Sequence, residues 1–429
     1  MAPVLPFDII ALIIDIVGEN KDTNLLKELA LVSHSFLQIS SKHLFAAVEL
    51  GGIPAYGVAS SKKGFVKLLR SRPNVVKYIR KLTYKLEYDR MADILPESLR
   101  SSRYNLNNDN HLLSPILPNF LRTISHLNCL TIIAIGAVLD WTKLNSSLTS
   151  AFLHLMHLPT INHIALSSLH NFPLSSLTPS VNLHRLDISD LSNFNPHKED
   201  GSHEIEVQLE MMPKIRELHT SRSSRMTAKL LHAKTQDGRP AFNFMDLRRL
   251  SISSDFEKDE QNIRCLLQNA KLLEKLHLSL GLRPIVGLHD ILSPSTRNLK
   301  VFDLILVLVY DRSVPRRLAE LCKELEAMAG HNMLEALSLE VSIGNIDLEP
   351  EDFIGSIIEK LEEVLLVKPG WSALREVSLR VLIPPGRGSE RLFESLPADK
   401  YVIDQLSSSS KSESVVFNYS VGFIRSLTM

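Results

Sequence analysis

The chain has 429 residues, with 48 Lys or Arg against 48 Asp or Glu, so its formal net charge is zero and nothing global draws it to nucleic acid. Its three cysteines, Cys129, Cys265 and Cys322, lie far apart without CxxC spacing, which points to neither a disulfide framework nor a zinc site. No apolar run of about 18 residues occurs, so no membrane span is expected, and the apolar start carries Asp8 and Asp15 without a basic leader, unlike a secretory signal.

From Leu5 to Leu50 the spacing predicts three short helices. Pro6 suits a first helical position, where its missing N–H has no intrahelical partner anyway, and Asp8 sets negative charge in the first turn. Ile9, Ile10, Ile13, Ile14 and Val17 then recur at helical spacing. Gly18 to Asp22 break that pattern, and a second helix starts after Asp22 or Thr23 with Leu25, Leu26, Leu29 and Val32 on one side. Phe36, Leu37, Ile39, Leu44 and Phe45 make the third run. Three helices this short hold more apolar side chains than they can hide from water. The segment therefore reads either as a cap on the remainder of the chain or as a docking module.

The residues themselves say more. Leu5-Pro6, Ile9-Ile10, Ile13-Ile14, Leu25-Leu26 and the run Leu31-Val32-Ser33-His34-Ser35-Phe36, closed by Lys42-His43-Leu44-Phe45, resemble the F-box in the form common among fungal F-box proteins. The resemblance implies a Skp-type adaptor as partner and, through it, a cullin-RING ubiquitin ligase. It also implies that Leu5, Pro6, Ile10, Ile13, Leu26, Val32 and Phe36 form or support the adaptor-binding face.

After a turn signal at Gly51-Gly52-Ile53-Pro54 comes a stretch, 62–85, with nine Lys or Arg and no acid. It reads as a solvated face or as a docking patch for an acidic surface. From there a template of apolar-x-x-apolar-x-apolar recurs. Copies centre on Leu130, Ile164, Leu186, Leu218, Leu250, Leu276, Phe302, Leu337 and Val377, with Ile79-Leu82-Tyr84 a plausible first copy. Helix-like segments lie between them, and Pro159 and Pro213 stand just before strands.

Strand and helix alternating at such periods predict an α/β fold. Residues 1–50 form an N-terminal three-helix F-box-like segment. Residues 51–382 form an irregular leucine-rich-repeat solenoid with parallel strands and outer helices, whose units stack to share a core. Residues 383–429 form a C-terminal cap with a flexible Ser-rich linker at 407–414. The Asn or Cys usual after a leucine-rich-repeat strand is mostly missing, as in the degenerate repeats that follow many fungal F-boxes. A doubly wound α/β domain is the alternative architecture, though about ten strands would make an uncommonly large open sheet.

No GxxxxGK, GxGxxG, HExxH or GxSxG motif occurs, so no catalytic, cofactor or metal site is expected and the chain does not read as an enzyme. In a strand, neighbours of the inward leucines point the other way. Arg185, Asp187, Arg249, Lys275 and His277, interrupted by Glu217, therefore form a candidate target-binding strip for an acidic or phosphorylated segment. The expected function is substrate recognition in a Skp/cullin/F-box-type ubiquitin ligase, in cytoplasm or nucleus. The partners would be the adaptor, the cullin complex and a protein target, with no nucleic acid or membrane involved. The alternative is a non-catalytic repeat scaffold unrelated to ubiquitin transfer.

Overall fold

The computed structural model describes residues 6–51, 62–87, 116–192, 204–205, 212–235, 237–254, 260–281, 287–308, 314–330, 332–343, 360–361, 363–367, 370–383 and 416–423. The chain is mixed α/β and divides into two compact units, Met1–Pro213 with Ala233–Phe242, and Lys214–His232 with Asn243–Met429. The division falls inside the expected 51–382 repeat region. The Ser-rich segment 407–414 and Leu5 lie outside the described residues.

The first unit opens with helices α1 (Phe7–Glu19), α2 (Thr23–Val32) and α3 (His34–Leu44). Polar side chains set two of the starts, because the first N–H groups of a helix lack backbone partners. The Asp22 carboxylate accepts from the Leu25 N–H at 3.0 Å, and the Ser33 hydroxyl accepts from the Phe36 N–H at 3.3 Å. The sheet then begins earlier than the sequence suggests. Ala47–Leu50 is a strand, β1, inside the stretch expected to end the helical segment. Four residues are too few to show a strand period on their own. β1 exists because it pairs, residue for residue, with Lys81 to Tyr84. Gly51 ends it at φ +88°, where an added Cβ would collide with the Lys85 carbonyl, so glycine is required there.

The rest of this unit alternates α4 (Lys62–Ser71), β2 (Lys81–Glu87), α5 (Ile116–Arg122), β3 (Cys129–Ile135), α6 (Ser146–Met156), β4 (His163–Ser167) and β5 (Arg185–Ser189). β1 to β5 are parallel and lie in chain order. Leu82, Leu130, Ile164 and Leu186 share one row of this sheet and are buried. Leu148, Phe152 and Leu155 stand at i, i+4 and i+7 on α6 and are all buried. Phe152 meets Tyr84 of β2 edge-on at 5.0 Å between ring centroids, which fixes α6 on the buried side of the sheet.

The second unit repeats the scheme. Its strands are β6 (Glu217–Ser221), β7 (Arg249–Ser254), β8 (Lys275–Gly281), β9 (Val301–Leu308), β10 (Ala336–Ile343), β11 (Glu376–Ile383) and β12 (Val416–Phe423). Among its helices, α7 (Ser224–His232) follows β6, α8 (Glu260–Asn269) follows β7 and α10 (Val314–Met328) follows β9, with the short α9 (Leu288–Leu292) after β8. All neighbouring strands are parallel and in chain order. Leu218, Leu250, Leu276, Phe302, Leu337 and Val377 fall in one buried row, which is the row the repeat template predicts. The strand order does not reverse within either unit.

Candidate functional site

α1 is apolar on two sides. Ile14 is buried and Ile10 and Val17 are half-buried, which accounts for its inward side. Ile9, Leu12, Ile13 and Ile16 stand at i, i+3, i+4 and i+7, and each is 43–56% exposed. That spacing is one continuous helical stripe, and it faces water. On α2, Leu31 is 88% exposed and Val32 65%. An apolar stripe of this size on a protein surface is the usual mark of an interaction site.

Electrostatics hold α1 to α3. Asp15 pairs with Lys42 at 2.6 Å and with His43 Nε2 at 2.7 Å. Lys42 first, then His43, holds the Asp15 carboxyl below its usual range. The close approach needs Gly18, because a Cβ there would fall inside the His43 ring. In an exposed helix, Gly→Ala gains about 1 kcal/mol from propensity. Here the sign should reverse. Gly18→Ala must push the imidazole away from Asp15, and overpacking of this kind costs about 1–3 kcal/mol. A lower urea midpoint for the variant checks this, and a higher one refutes the close contact.

Of the residues expected at the adaptor face, Pro6, Ile13 and Val32 are exposed. Ile10 and Phe36 are half-buried, and Leu26 is 1% exposed, so it supports the face from beneath. The expectation did not include Leu12, Ile16 and Leu31, which are among the most exposed. The signal for two of them was available, since Leu12 and Ile16 continue the helical stripe of Ile9 and Ile13.

The residues expected to contact a target lie on the outward rows of the sheet in each unit. In the first, Arg185 grips Asp187 on its own strand through Nε at 3.1 and 3.2 Å and through a terminal nitrogen at 3.0 Å. Asp187 also accepts from His163 Nε2 at 2.8 Å. In the second, Arg249 pairs with Glu217 at 3.1 Å and His277 stands 4.0 Å from Asp303, while Lys275 is exposed. Burial pushes the Asp303 carboxyl up, more than His277 and Lys275 pull it down. The outward rows are therefore of mixed charge: Arg185 is paired along its own strand, and Arg249 is set against Glu217 by the parallel register. Among the described residues no group of three or more His, Cys, Asp or Glu is arranged to hold a metal ion, and no helix is long and apolar enough to cross a membrane.

No family model matches the chain, and no curated protein matches it.

Proposed function

We propose that this protein is the substrate-recognition subunit of a Skp/cullin/F-box-type ubiquitin ligase. In this reading α1 to α3 dock on the adaptor, and the parallel strands form a degenerate leucine-rich-repeat solenoid that holds the target. The observation that carries it is the solvent-facing stripe Ile9, Leu12, Ile13 and Ile16 on a helix whose other side is already buried. Fully burying one such side chain gives about 1.5–3 kcal/mol. Four half-exposed ones offer several kcal/mol to a partner with an apolar groove. The chain-order parallel strands support the repeat array, because each strand–helix unit then meets only its neighbours. Such a subunit makes and breaks no bonds. It holds the target close to the charged ubiquitin carrier, and that proximity does the work.

One observation favours the scaffold alternative, in which the helices merely cap the sheet. The carbonyl of Ala46, just after α3, accepts from the N–H groups of Arg80 and Lys81, so the helical segment runs directly into the first strand pair. A titration of the purified full chain with a purified Skp-type adaptor separates the two readings. Saturable one-to-one binding supports the receptor. Absence of binding at adaptor concentrations on the order of 100 μM, a free energy weaker than about 5.5 kcal/mol, leaves the scaffold.

A further inference from the structure

The parallel register of the first unit brings together side chains whose chemistry is complementary and whose sequence positions are not close. Lys81, Cys129, His163 and Arg185 occupy one outward row across β2, β3, β4 and β5. Asp187 lies in the row of Thr131 and Ala165, two residues further along. His163 Nδ1 is 3.2 Å from the Cys129 sulfur, and His163 Nε2 is 2.8 Å from Asp187 Oδ2. Arg185 also holds Asp187, donating from Nε to both carboxylate oxygens and from a terminal nitrogen to Oδ2.

This is the order nucleophile, base and orienting acid. The carboxylate fixes the Nε2–H tautomer of the imidazole, which leaves Nδ1 to accept the thiol proton. The groups remain within reach of solutes. Cys129 is half-buried, and the side chains of His163 and Asp187 are 23% and 25% exposed. Ala165, between Thr131 and Asp187 in its row, adds only a methyl group to that part of the face. The charged groups facing Cys129 are Lys81 from β2, His163 from β4, and Arg185 and Asp187 from β5, with Thr131 from its own strand 4.0 Å away.

We propose that Cys129 is a covalent modification site, a thiolate held by His163 and Asp187 that exchanges with small carboxylate-bearing disulfides of the glutathione disulfide class. The Cys129 S–H proton passes to His163 Nδ1. The thiolate attacks one sulfur of the disulfide R–S–S–R. The new Cys129–S–S–R bond forms as the old S–S bond breaks, and R–S⁻ leaves and takes up a proton from water to become R–SH. The disulfide is thus the oxidant, and excess thiol reverses the step. Lys81, exposed beside Cys129, supplies positive charge for a carboxylate of the incoming disulfide.

The electrostatics agree with the geometry. Burial alone would raise the Cys129 pKa, but the bond to His163 and the His163 charge outweigh it, and the thiol ends below its ordinary value. Burial likewise opposes protonation of His163, and the bonds to Asp187 and Cys129 override it, pushing the imidazole up to about 9. The proton that Cys129 loses passes to His163, and thiol reactivity reads that transfer directly. The site stands independently of the ligase reading.

The test uses the full chain with glutathione disulfide from mildly acidic to alkaline pH, with mass spectrometry following Cys129, Cys265 and Cys322 separately. Cys265 is the internal control, also half-buried, with the Asn269 amide 3.8 Å from its sulfur. Near pH 6.5 an ordinary thiol is only about 1% ionised, so Cys129 should react at least about tenfold faster than Cys265 even after its lower intrinsic nucleophilicity is allowed for. The advantage should shrink as ordinary thiols ionise. His163→Gln should bring Cys129 down to the rate of Cys265 and leave Cys265 unchanged. A wild-type Cys129 rate within about threefold of Cys265 across the pH range overturns the proposal without any variant. So does a wild-type advantage that survives His163→Gln in a folded protein.

Discussion

Replacing Phe152 with alanine should lower the unfolding free energy of the first unit by about 3–5 kcal/mol. Phe152 is fully buried on α6. Its ring meets Tyr84 edge-on at 5.0 Å and lies 6.1 Å from the Trp141 ring. Truncation therefore removes the transfer term of a whole aromatic ring and the pair term of about 0.5–1.5 kcal/mol beyond it. It also leaves a cavity between helix and sheet that neighbouring strands, fixed by their ladders, cannot collapse to fill. The measurement is urea unfolding followed by tryptophan fluorescence. The chain has two tryptophans, Trp141 in the first unit and Trp371 in the second, so a variant that removes Trp371 isolates the first unit's signal. A loss below about 1 kcal/mol would mean that the ring does not carry the α6–sheet contact.

The second large effect is on partner binding. Ile13→Asp should weaken adaptor binding about 30-fold or more, the equivalent of about 2 kcal/mol at a central apolar anchor. Val32→Asp should do the same. Neither should shift the unfolding transition by more than about 0.5 kcal/mol, because Ile13 is 45% and Val32 65% exposed. The separation of the two readouts is the point of choosing these residues. Ile10 is half-buried and Leu26 is covered, so a charge at either would confound docking with folding. Binding retained within about threefold by a folded Ile13→Asp protein would remove the docking face from the proposal.

The helical and strand elements were legible in the sequence because their signals are local. The i, i+3, i+4, i+7 pattern of α1 and the apolar-x-x-apolar-x-apolar template of the strands arise within a few residues, where side chains choose between core and water. That is why the template alone sets Leu82, Leu130, Leu250 and Phe302 in buried rows. The apolar run from Val415 to Ile424 likewise predicts a closing strand, found at Val416–Phe423. β1 was not readable, because a four-residue strand is defined by the partner it meets and not by its own pattern.

Function-bearing detail divides along the same line. Local patterning showed that α1 has more apolar surface than its neighbours need, but only packing decided which side stays in water, leaving Leu12 and Ile16 out and Ile14 in. The Cys129–His163–Asp187 chain spans sequence separations of 34 and 24 residues. Cys129, His163 and Arg185 each stand one residue before the central position of their repeat copy, so the template held the row in latent form. What it could not hold was register. Alternation is fixed by local side-chain and solvent preferences, whereas the alignment of one strand on the next is fixed by backbone hydrogen bonds closed across long and uneven loops. Only the folded sheet decided that a thiol, an imidazole and a carboxylate would come within bonding distance.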